Sequence, residues 1–214
     1  MKLNQHVFLA LLGLTAVLSI GTAQADIMVY TNRAAFLSQL QPGYFEDTMS
    51  DLTNGGFRAY SATRSGNGYS VTYTASSDDV RSVSAGMSTV FSDDNLIASL
   101  SANSYAVGGY FYLTDSDGNY QAFTGFNISA VAANGIDPNS SLSAVNSATN
   151  FFGWISTTPI TSVTVNAGGF PPGRWNTVTD VIVGASVPEP GTLALMLLGS
   201  AIGFAKRRKT ANSH

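Results

Sequence analysis

Alternation of apolar and polar residues is the dominant pattern between residues 26 and 186. Apolar side chains at every second position, bounded by Gly, Asn, Asp or Ser, predict strands with one buried face. The predicted strands cover residues 27–31, 69–75, 88–91, 106–114, 120–130, 151–156, 160–166 and 176–184. We therefore expect an all-β domain, an antiparallel β-sandwich resembling a jelly roll.

One short helix is predicted near the start of this domain. Asn32 can cap a helical segment over residues 33–40 by accepting a backbone N–H bond. Helical spacing places Ala35, Phe36 and Leu40 on one side of that segment. We expect this side to pack against the sandwich.

The polar segments between strands predict turns and loops. Asp115-Ser116-Asp117-Gly118-Asn119 separates two predicted strands and favours a hairpin between Thr114 and Tyr120. It also begins like a calcium-binding helix–loop–helix motif, but Phe126 stands where the closing glutamate belongs, so a turn is expected. The longest predicted loop runs over residues 134–148.

The N-terminus has the pattern of a secretory signal. Lys2 precedes an uncharged apolar run over residues 7–20, and Ala23 and Ala25 complete a small-residue cleavage site. The alternative, an amphipathic core helix, would need a polar face that the run lacks. Residues 1–25 are therefore predicted to be a signal peptide removed after Ala25, so that the protein is exported.

The C-terminal segment, residues 187–214, has three parts in order. Val187-Pro188-Glu189-Pro190-Gly191 is non-helical because two prolines restrict φ and lack N–H donors. An uncharged apolar helix is predicted over residues 192–205, followed by the basic cluster Lys206-Arg207-Arg208-Lys209. This helix spans roughly 21 Å against a hydrocarbon core of about 30 Å, so the flanking residues must reach the headgroups. The positive-inside rule leaves the basic cluster in the cytoplasm and the domain outside.

This tail resembles the PEP-CTERM sorting signal of Gram-negative bacteria that make exopolysaccharide. The resemblance implies processing by an exosortase, a membrane enzyme for which Pro188, Glu189 and Pro190 would be the recognition element. It also implies an intermediate inserted in the inner membrane and a final place at the cell surface or in the extracellular matrix. The alternative is a simple C-terminal membrane anchor, which would need no Pro-Glu-Pro element.

The domain over residues 26–186 is loosely similar to the exported domains that commonly precede such tails. The similarity rests on the segments YTNRAAFLSQL, Tyr44-Phe45-Glu46-Asp47, FFGWISTTPITSVTV and TDVIVG. It implies a β-sandwich, and it implies no reaction.

Composition excludes several classes of function. Residues 26–186 contain five arginines and twelve acidic residues, a net charge of −7, with no lysine or histidine, and the whole chain has no cysteine. A domain this acidic is a poor nucleic-acid partner. Without Cys, His or Lys it cannot use thiol, Ser-His-Asp or Schiff-base chemistry, and it offers no histidine ligand for zinc.

A glycan-acting enzyme would need only two carboxylates about 5–10 Å apart. Glu46 is the single glutamate of the domain, and Asp47 follows it directly. Adjacent strand residues point to opposite faces, which is unfavourable for paired acid and base catalysis. We therefore expect no enzymatic activity.

Glu46, Asp47 and Asp180 are the candidate metal ligands. Asp180 interrupts an apolar strand, where an unpaired carboxylate is costly. If the segment around Glu46 neighbours the last strand, the three acids could hold a structural calcium ion. Alternatively, Asp180 pairs with an arginine or faces water at a sheet edge.

Several other residues have expected positions. Tyr110 and Tyr112 fall on one face of a predicted strand, opposite Phe111 and Leu113, and could stack on a sugar ring if their face is open. If a loop covers that face, they are packing residues. The remaining expectations are that Trp154 and Trp175 belong to the core or its rim, and that the pairs Asp78-Asp79 and Asp93-Asp94 are solvated loop acids.

The leading functional hypothesis is an exported, surface-directed, non-enzymatic protein associated with the extracellular polysaccharide matrix. The alternative is a carbohydrate-binding module that uses Tyr110 and Tyr112, with or without calcium. The third is a glycan-acting enzyme.

Overall fold

Two antiparallel sheets make up the domain in the computed structural model, which describes residues 27–121, 125–135, 141–144, 149–166 and 173–187. The first sheet has eight strands, in the order β1 (Ile27–Tyr30), β12 (Phe151–Ser156), β9 (Ala106–Thr114), β14 (Trp175–Gly184), β7 (Gly86–Thr89), β6 (Val80–Val83) and β3 (Arg58–Ala59), with β2 (Phe45–Asp47) also pairing with β14. The second has six, in the order β11 (Ser141–Ala144), β10 (Phe126–Ala132), β13 (Ile160–Asn166), β8 (Leu96–Leu100), β5 (Tyr69–Ala75) and β4 (Ser61–Gly66).

The main core lies between the two sheets, as alternation predicts. Phe111 and Trp154 from the first sheet pack edge to face, with ring centroids 5.8 Å apart. Tyr73, Ile128 and Val163 from the second sheet are buried in the same apolar cluster. Burial of these large side chains, at about 1.5–3 kcal/mol each, is the main stabilisation available to a domain without disulfides.

A second, smaller core lies on the outer face of the eight-stranded sheet. It contains Phe36 from the helix α1 (Arg33–Leu37), together with Phe151, Ile155 and Ile182 from the sheet. The predicted cap is confirmed, since the Asn32 side chain accepts the Ala35 N–H at 2.9 Å. Ala35 itself is exposed, so the apolar side of the helix is narrower than predicted.

The predicted strands 69–75, 106–114, 151–156 and 160–166 have the observed bounds. The predicted chain reversal across residues 115–119 is present, with an antiparallel bridge between Thr114 and Tyr120 and a bond from the Gln121 N–H to the Leu113 carbonyl, but the strand predicted from residue 120 is not observed there. The strand after this turn begins at Phe126 and pairs with β11 and β13 in the other sheet. The predicted loop 134–148 contains strand β11. The strands absent from the prediction are β2, β3, β4, β6, β8 and β11.

Both predicted targeting segments fall almost wholly outside the described residues, including Ala23, Ala25, the Pro-Glu-Pro element and the basic cluster. Val187 is the exception. It is exposed, and its N–H donates to the Gln39 carbonyl at 2.8 Å. Among the residues that the structure describes, no helix has the length and apolar character needed to cross a bilayer.

Candidate functional site

The outer face of the eight-stranded sheet carries the predicted tyrosines. In β9, Phe111 and Leu113 belong to the main core, while Tyr110 packs against the second core on the opposite face. The alternation therefore places Tyr110 and Tyr112 on the outer face, as predicted.

Helix α1 covers one end of this face. Phe36 is fully buried, with its ring centroid 5.9 Å from that of Tyr30 and 5.4 Å from that of Phe151. It sits directly over two glycines of the sheet. An added Cβ would lie 3.0 Å from the Phe36 ring at Gly108 and 2.6 Å from it at Gly153. The missing side chains let the helix approach the sheet closely.

The turn over residues 115–121 covers the other end. Its shape comes from the Asp115 carboxylate, which accepts the N–H groups of Asp117 and Asn119, each at 2.9 Å. These bonds, led by the one from Asn119, lower the pKa of Asp115. Gly118 lies against Val83 of β6, where an added Cβ would come within 2.9 Å of the valine. The predicted turn is thus confirmed, and it packs on the sheet.

The side chain of Arg81, in strand β6, forms hydrogen bonds that hold this turn against the sheet. Its guanidinium donates to the main-chain carbonyls of Asp115 and Ser116 and lies 5.7 Å from the ring centroid of Trp175. Burial lowers the pKa of Arg81. The Trp175 indole N–H donates to the Val90 carbonyl at 2.7 Å. Trp175 is therefore a rim residue, and Trp154 is fully buried in the core, as expected.

Between the two covers lies a tyrosine strip, which we define as Tyr110, Tyr112, Tyr120, Thr179 and Asp180. Strand register places Thr179 beside Tyr110. The rings of Tyr112 and Tyr120 make an edge-to-face pair with centroids 6.3 Å apart, and Tyr120 is 40% exposed. The strip thus combines aromatic surface with a hydroxyl and a carboxylate.

The two tyrosines of β9 differ in their surroundings. Tyr110 makes an edge-to-face contact with Phe151, at 5.7 Å between centroids, and so belongs to the wall of the second core. Burial raises the pKa of Tyr112, a hydrogen bond with Thr179 lowers it, and the nearby Asp180 carboxylate raises it again. Both tyrosines are partly exposed. Their face of the sheet is therefore neither fully open to solvent nor fully covered by a loop.

Asp180 occupies a β-bulge in β14. Between Thr179 and Ile182 this strand has one more residue than its partner β9, and Asp180 has a positive φ of 47°. Asp tolerates this left-handed conformation better than most residues do. Burial raises the pKa of Asp180, and the neighbouring Glu46 carboxylate raises it further, while Arg33 opposes both effects.

Glu46 lies near Asp180 because β2 pairs with β14, with Glu46 opposite Ile182. The condition stated for the calcium hypothesis, that these two segments are neighbours, is therefore met. Glu46 is held in an ion pair with Arg33 of helix α1. Asp180 forms no hydrogen bond or ion pair with any described residue, and it is partly exposed in the bulge rather than at a sheet edge.

Asp47 points to the other side of β2. It is 5% exposed and accepts two bonds from the Arg64 guanidinium, at 2.8 and 2.9 Å. Arg64 also binds Asp51, and these two acids raise its pKa. The structure does not bring Glu46, Asp47 and Asp180 together as the predicted calcium site, because Glu46 and Asp47 are paired with arginines and Asp47 lies on the other side of β2. Within the described ranges, no three acidic or histidine side chains are placed to hold a metal.

One pair of predicted loop acids also differs from expectation. Asp78 and Asp79 both pair with Arg58, and Asp93 is exposed. Asp94, however, is only 2% exposed. Sequence reasoning missed it because a run of two aspartates between strands is typical of a solvated loop.

Comparison with known proteins gives a family match for the tail and a weak structural match for the domain. Residues 186–209 match the model of the PEP-CTERM protein-sorting motif. No curated protein matches the chain. A solved structure titled "Family 11 Carbohydrate-Binding Module of cellulosomal cellulase Lic26A-Cel5E of Clostridium thermocellum" is 12% identical, and the match covers 64% of this chain and 96% of that one with a TM-score of 0.26.

Proposed function

We propose that this chain, whose residues 186–209 match the PEP-CTERM protein-sorting motif, is an exported, surface-directed and non-enzymatic protein that associates with extracellular polysaccharide. The motif implies export, anchoring at the C-terminus and exosortase processing at the membrane. It is the observation on which the proposal chiefly depends. The polysaccharide is proposed because tails of this kind are associated with bacteria that make exopolysaccharide.

The junction between domain and motif supports processing close to the folded domain. Strand β14 ends at Gly184, and the motif begins two residues later. Its first two residues are tied to the segment after helix α1, since the Gln41 side chain donates to the Ser186 carbonyl at 2.9 Å and Val187 donates to Gln39. Cleavage beyond Val187 would therefore leave Ser186 and Val187 bound to the domain.

Replacement of Pro188, Glu189 and Pro190 by alanine tests the sorting role. The variant keeps the apolar segment and the basic cluster, so it should still insert in the membrane. In the native host we expect wild-type protein to lose mass from its C-terminus and the variant to keep its full tail. Equal mature masses for the two proteins would contradict sorting and support a simple anchor.

A second candidate function is carbohydrate binding at the tyrosine strip. The supporting observation is the partly exposed set of Tyr112, Tyr120, Thr179 and Asp180 between two covers, because an aromatic surface beside polar groups suits a sugar ring. Tyr110 contributes less in this proposal, since its ring is engaged by Phe151.

A glycan array with the full chain in detergent tests this candidate. We expect Tyr112→Ala to weaken glycan binding more than Tyr110→Ala does. Tyr60→Ala is the matched control, because Tyr60 is 77% exposed but lies outside the strip. Loss of binding in the Tyr60 variant alone, or no glycan bound by wild type, would eliminate the strip as a sugar site.

The proposal that the protein is not an enzyme depends on how its carboxylates are paired. Glu46 and Asp180 share the outer face, but the ion pair with Arg33 occupies Glu46. A glycosidase needs one carboxyl group as an acid and another as a base or nucleophile. We expect no new reducing ends when the protein is incubated with the host polysaccharide, and their appearance would restore the enzyme hypothesis.

A further inference from the structure

Three buried oxygen atoms near one end of the sandwich have no hydrogen-bond partner among the described residues. They are Oδ2 of Asp94, Oδ1 of Asn176 and Oγ1 of Thr89. The residues are 2%, 0% and 0% exposed. Buried polar atoms are almost always satisfied, so three of them in one place call for a ligand that accounts for all three.

Strand register and one direct contact bring the three residues together. The Asn176 amide donates to the main-chain carbonyl of Asp94 at 2.6 Å. In the antiparallel pair of β14 and β7, Thr177 is opposite Ser88 and Val178 is opposite Met87. Continuing this register by one residue places Asn176 opposite Thr89.

The same register shows which way these side chains point. Met87 and Val178 belong to the main core between the sheets. Thr89 and Asn176 lie two residues from them along their strands, so they face the same side. Their oxygen atoms therefore lie at the end of the main core, where Asp94 precedes strand β8.

The chemistry of the three atoms narrows the choice of ligand. A carboxylate oxygen and an amide oxygen are both acceptors, so Asp94 and Asn176 cannot satisfy each other. The other Asp94 oxygen, Oδ1, already accepts bonds from Ser76, at 2.9 Å, and from Ser77. The Thr89 hydroxyl can both donate and accept. The ligand must therefore present positive charge or donors to the Asp94 and Asn176 oxygens.

Charge favours a cation over water. Asp94 forms no ion pair with any described residue, and a buried carboxylate without a positive partner is costly. Its loop is joined to the loop that holds Asp78 and Asp79, because the Ser76 N–H donates to the Asn95 carbonyl at 3.1 Å. With Asp93 these loops carry four aspartates, and Arg58 pairs with two of them, Asp78 and Asp79. Water would satisfy the hydrogen bonds of Asp94 but would not neutralise its buried carboxylate.

We propose that Asp94, Asn176 and Thr89 form a calcium-binding site at the end of the main core. Carboxylate, amide and hydroxyl oxygens are the hard ligands that Ca²⁺ takes, and water or main-chain carbonyls commonly complete its six to eight positions. The ion would join the loop before β8 to strands β7 and β14, and so connect the two sheets. It lies apart from the tyrosine strip, and its role is structural.

Calcium titration of the full chain in detergent, followed by thermal melting, tests the site. After treatment with a chelator, the wild-type Tm should rise with added Ca²⁺ and saturate, since a ligand that binds only the folded state stabilises it. Asp94→Asn should weaken calcium binding by about tenfold or more because it removes the only charged ligand. Asp93→Asn is the matched control in the same loop and should keep the full response, as should Asp180→Asn.

A second pair of variants keeps the test decisive if Asp94→Asn fails to fold. Asn176→Asp adds a charged ligand and should increase calcium affinity, whereas Thr89→Val removes an oxygen at nearly constant shape and should decrease it. Direct binding of ⁴⁵Ca²⁺ measures both. A wild-type Tm that is equal in Ca²⁺ and in chelator would overturn the proposal, as would an unchanged response in the Asp94 and Thr89 variants.

Discussion

Replacing Phe36 with alanine should detach helix α1 from the outer face of the eight-stranded sheet. Phe36 is the one fully buried side chain of this five-residue helix, and it contacts the rings of Tyr30 and Phe151. A helix this short has little stability of its own, so it is held by this packing. The perturbation therefore removes the main connection between the helix and the sheet.

The expected cost follows from the burial. Truncation of a buried phenylalanine costs about 3–5 kcal/mol, and we expect the lower part of this range because the site is near the surface and can partly collapse. For a domain of this size, about 3 kcal/mol corresponds to a fall in Tm of roughly 10 °C. Circular dichroism during thermal or urea unfolding of the full chain in detergent measures both quantities.

Gly153 supplies a stringent second test of the same contact. In wild type, Gly153→Ala would place a Cβ 2.6 Å from the Phe36 ring, and overpacking of this kind costs about 1–3 kcal/mol. In the Phe36→Ala background the ring is gone, so the added methyl group should be neutral or stabilising. A double-mutant cycle therefore predicts strong coupling, and additive effects of the two substitutions would refute the packing argument.

Three further predictions concern titratable and buried polar groups. The pKa of Asp180 is raised in the folded state by burial and by the Glu46 carboxylate, so its charge costs stability above that pKa. Asp180→Asn should therefore stabilise the domain slightly at pH 7, and the gain should vanish below the ordinary pKa of 3.8, as urea unfolding at several pH values would show. The Tyr73 hydroxyl is buried without a partner among the described residues, so Tyr73→Phe should raise stability by about 1 kcal/mol, and a loss would contradict this. Arg64→Met leaves the Asp47 carboxylate buried without its cation and should lower the free energy of unfolding by about 3 kcal/mol. Asp51→Asn alters the exposed partner of the same arginine and should change the free energy of unfolding little. Equal effects of the two variants in denaturation experiments would contradict this prediction.

Strands with one apolar face were predictable and polar or very short ones were not. The alternation in β5 and β13 predicted their bounds because buried apolar side chains alternate there with more exposed polar ones. Strand β4 has no such signal, since its sequence SATRSG is polar and it lies at the edge of its sheet. Its backbone pairs with β5 although its composition is typical of a loop.

The candidate sites were predictable only in part. Alternation correctly placed Tyr110 and Tyr112 on one face, and it correctly separated Glu46 from Asp47. It could not predict that helix α1 and the turn at residues 115–121 would cover the two ends of that face. Nor could it predict that Asp94 would be buried beside Asn176, since these residues are 82 positions apart along the chain.

The sequence by itself determined the sorting motif at residues 186–209, the all-β class and the lack of Cys, His and Lys between residues 26 and 186, because composition and local patterns do not depend on which strands pair. The tertiary structure decided which charged side chains form ion pairs. It joined Glu46 to Arg33 and Asp47 to Arg64, and it buried at the end of the core three oxygens that have no partner in the described part of the chain. The physical reason is that an ion pair or a ligand site depends on distances of a few ångströms between atoms from distant strands, and only the folded sheets establish those distances.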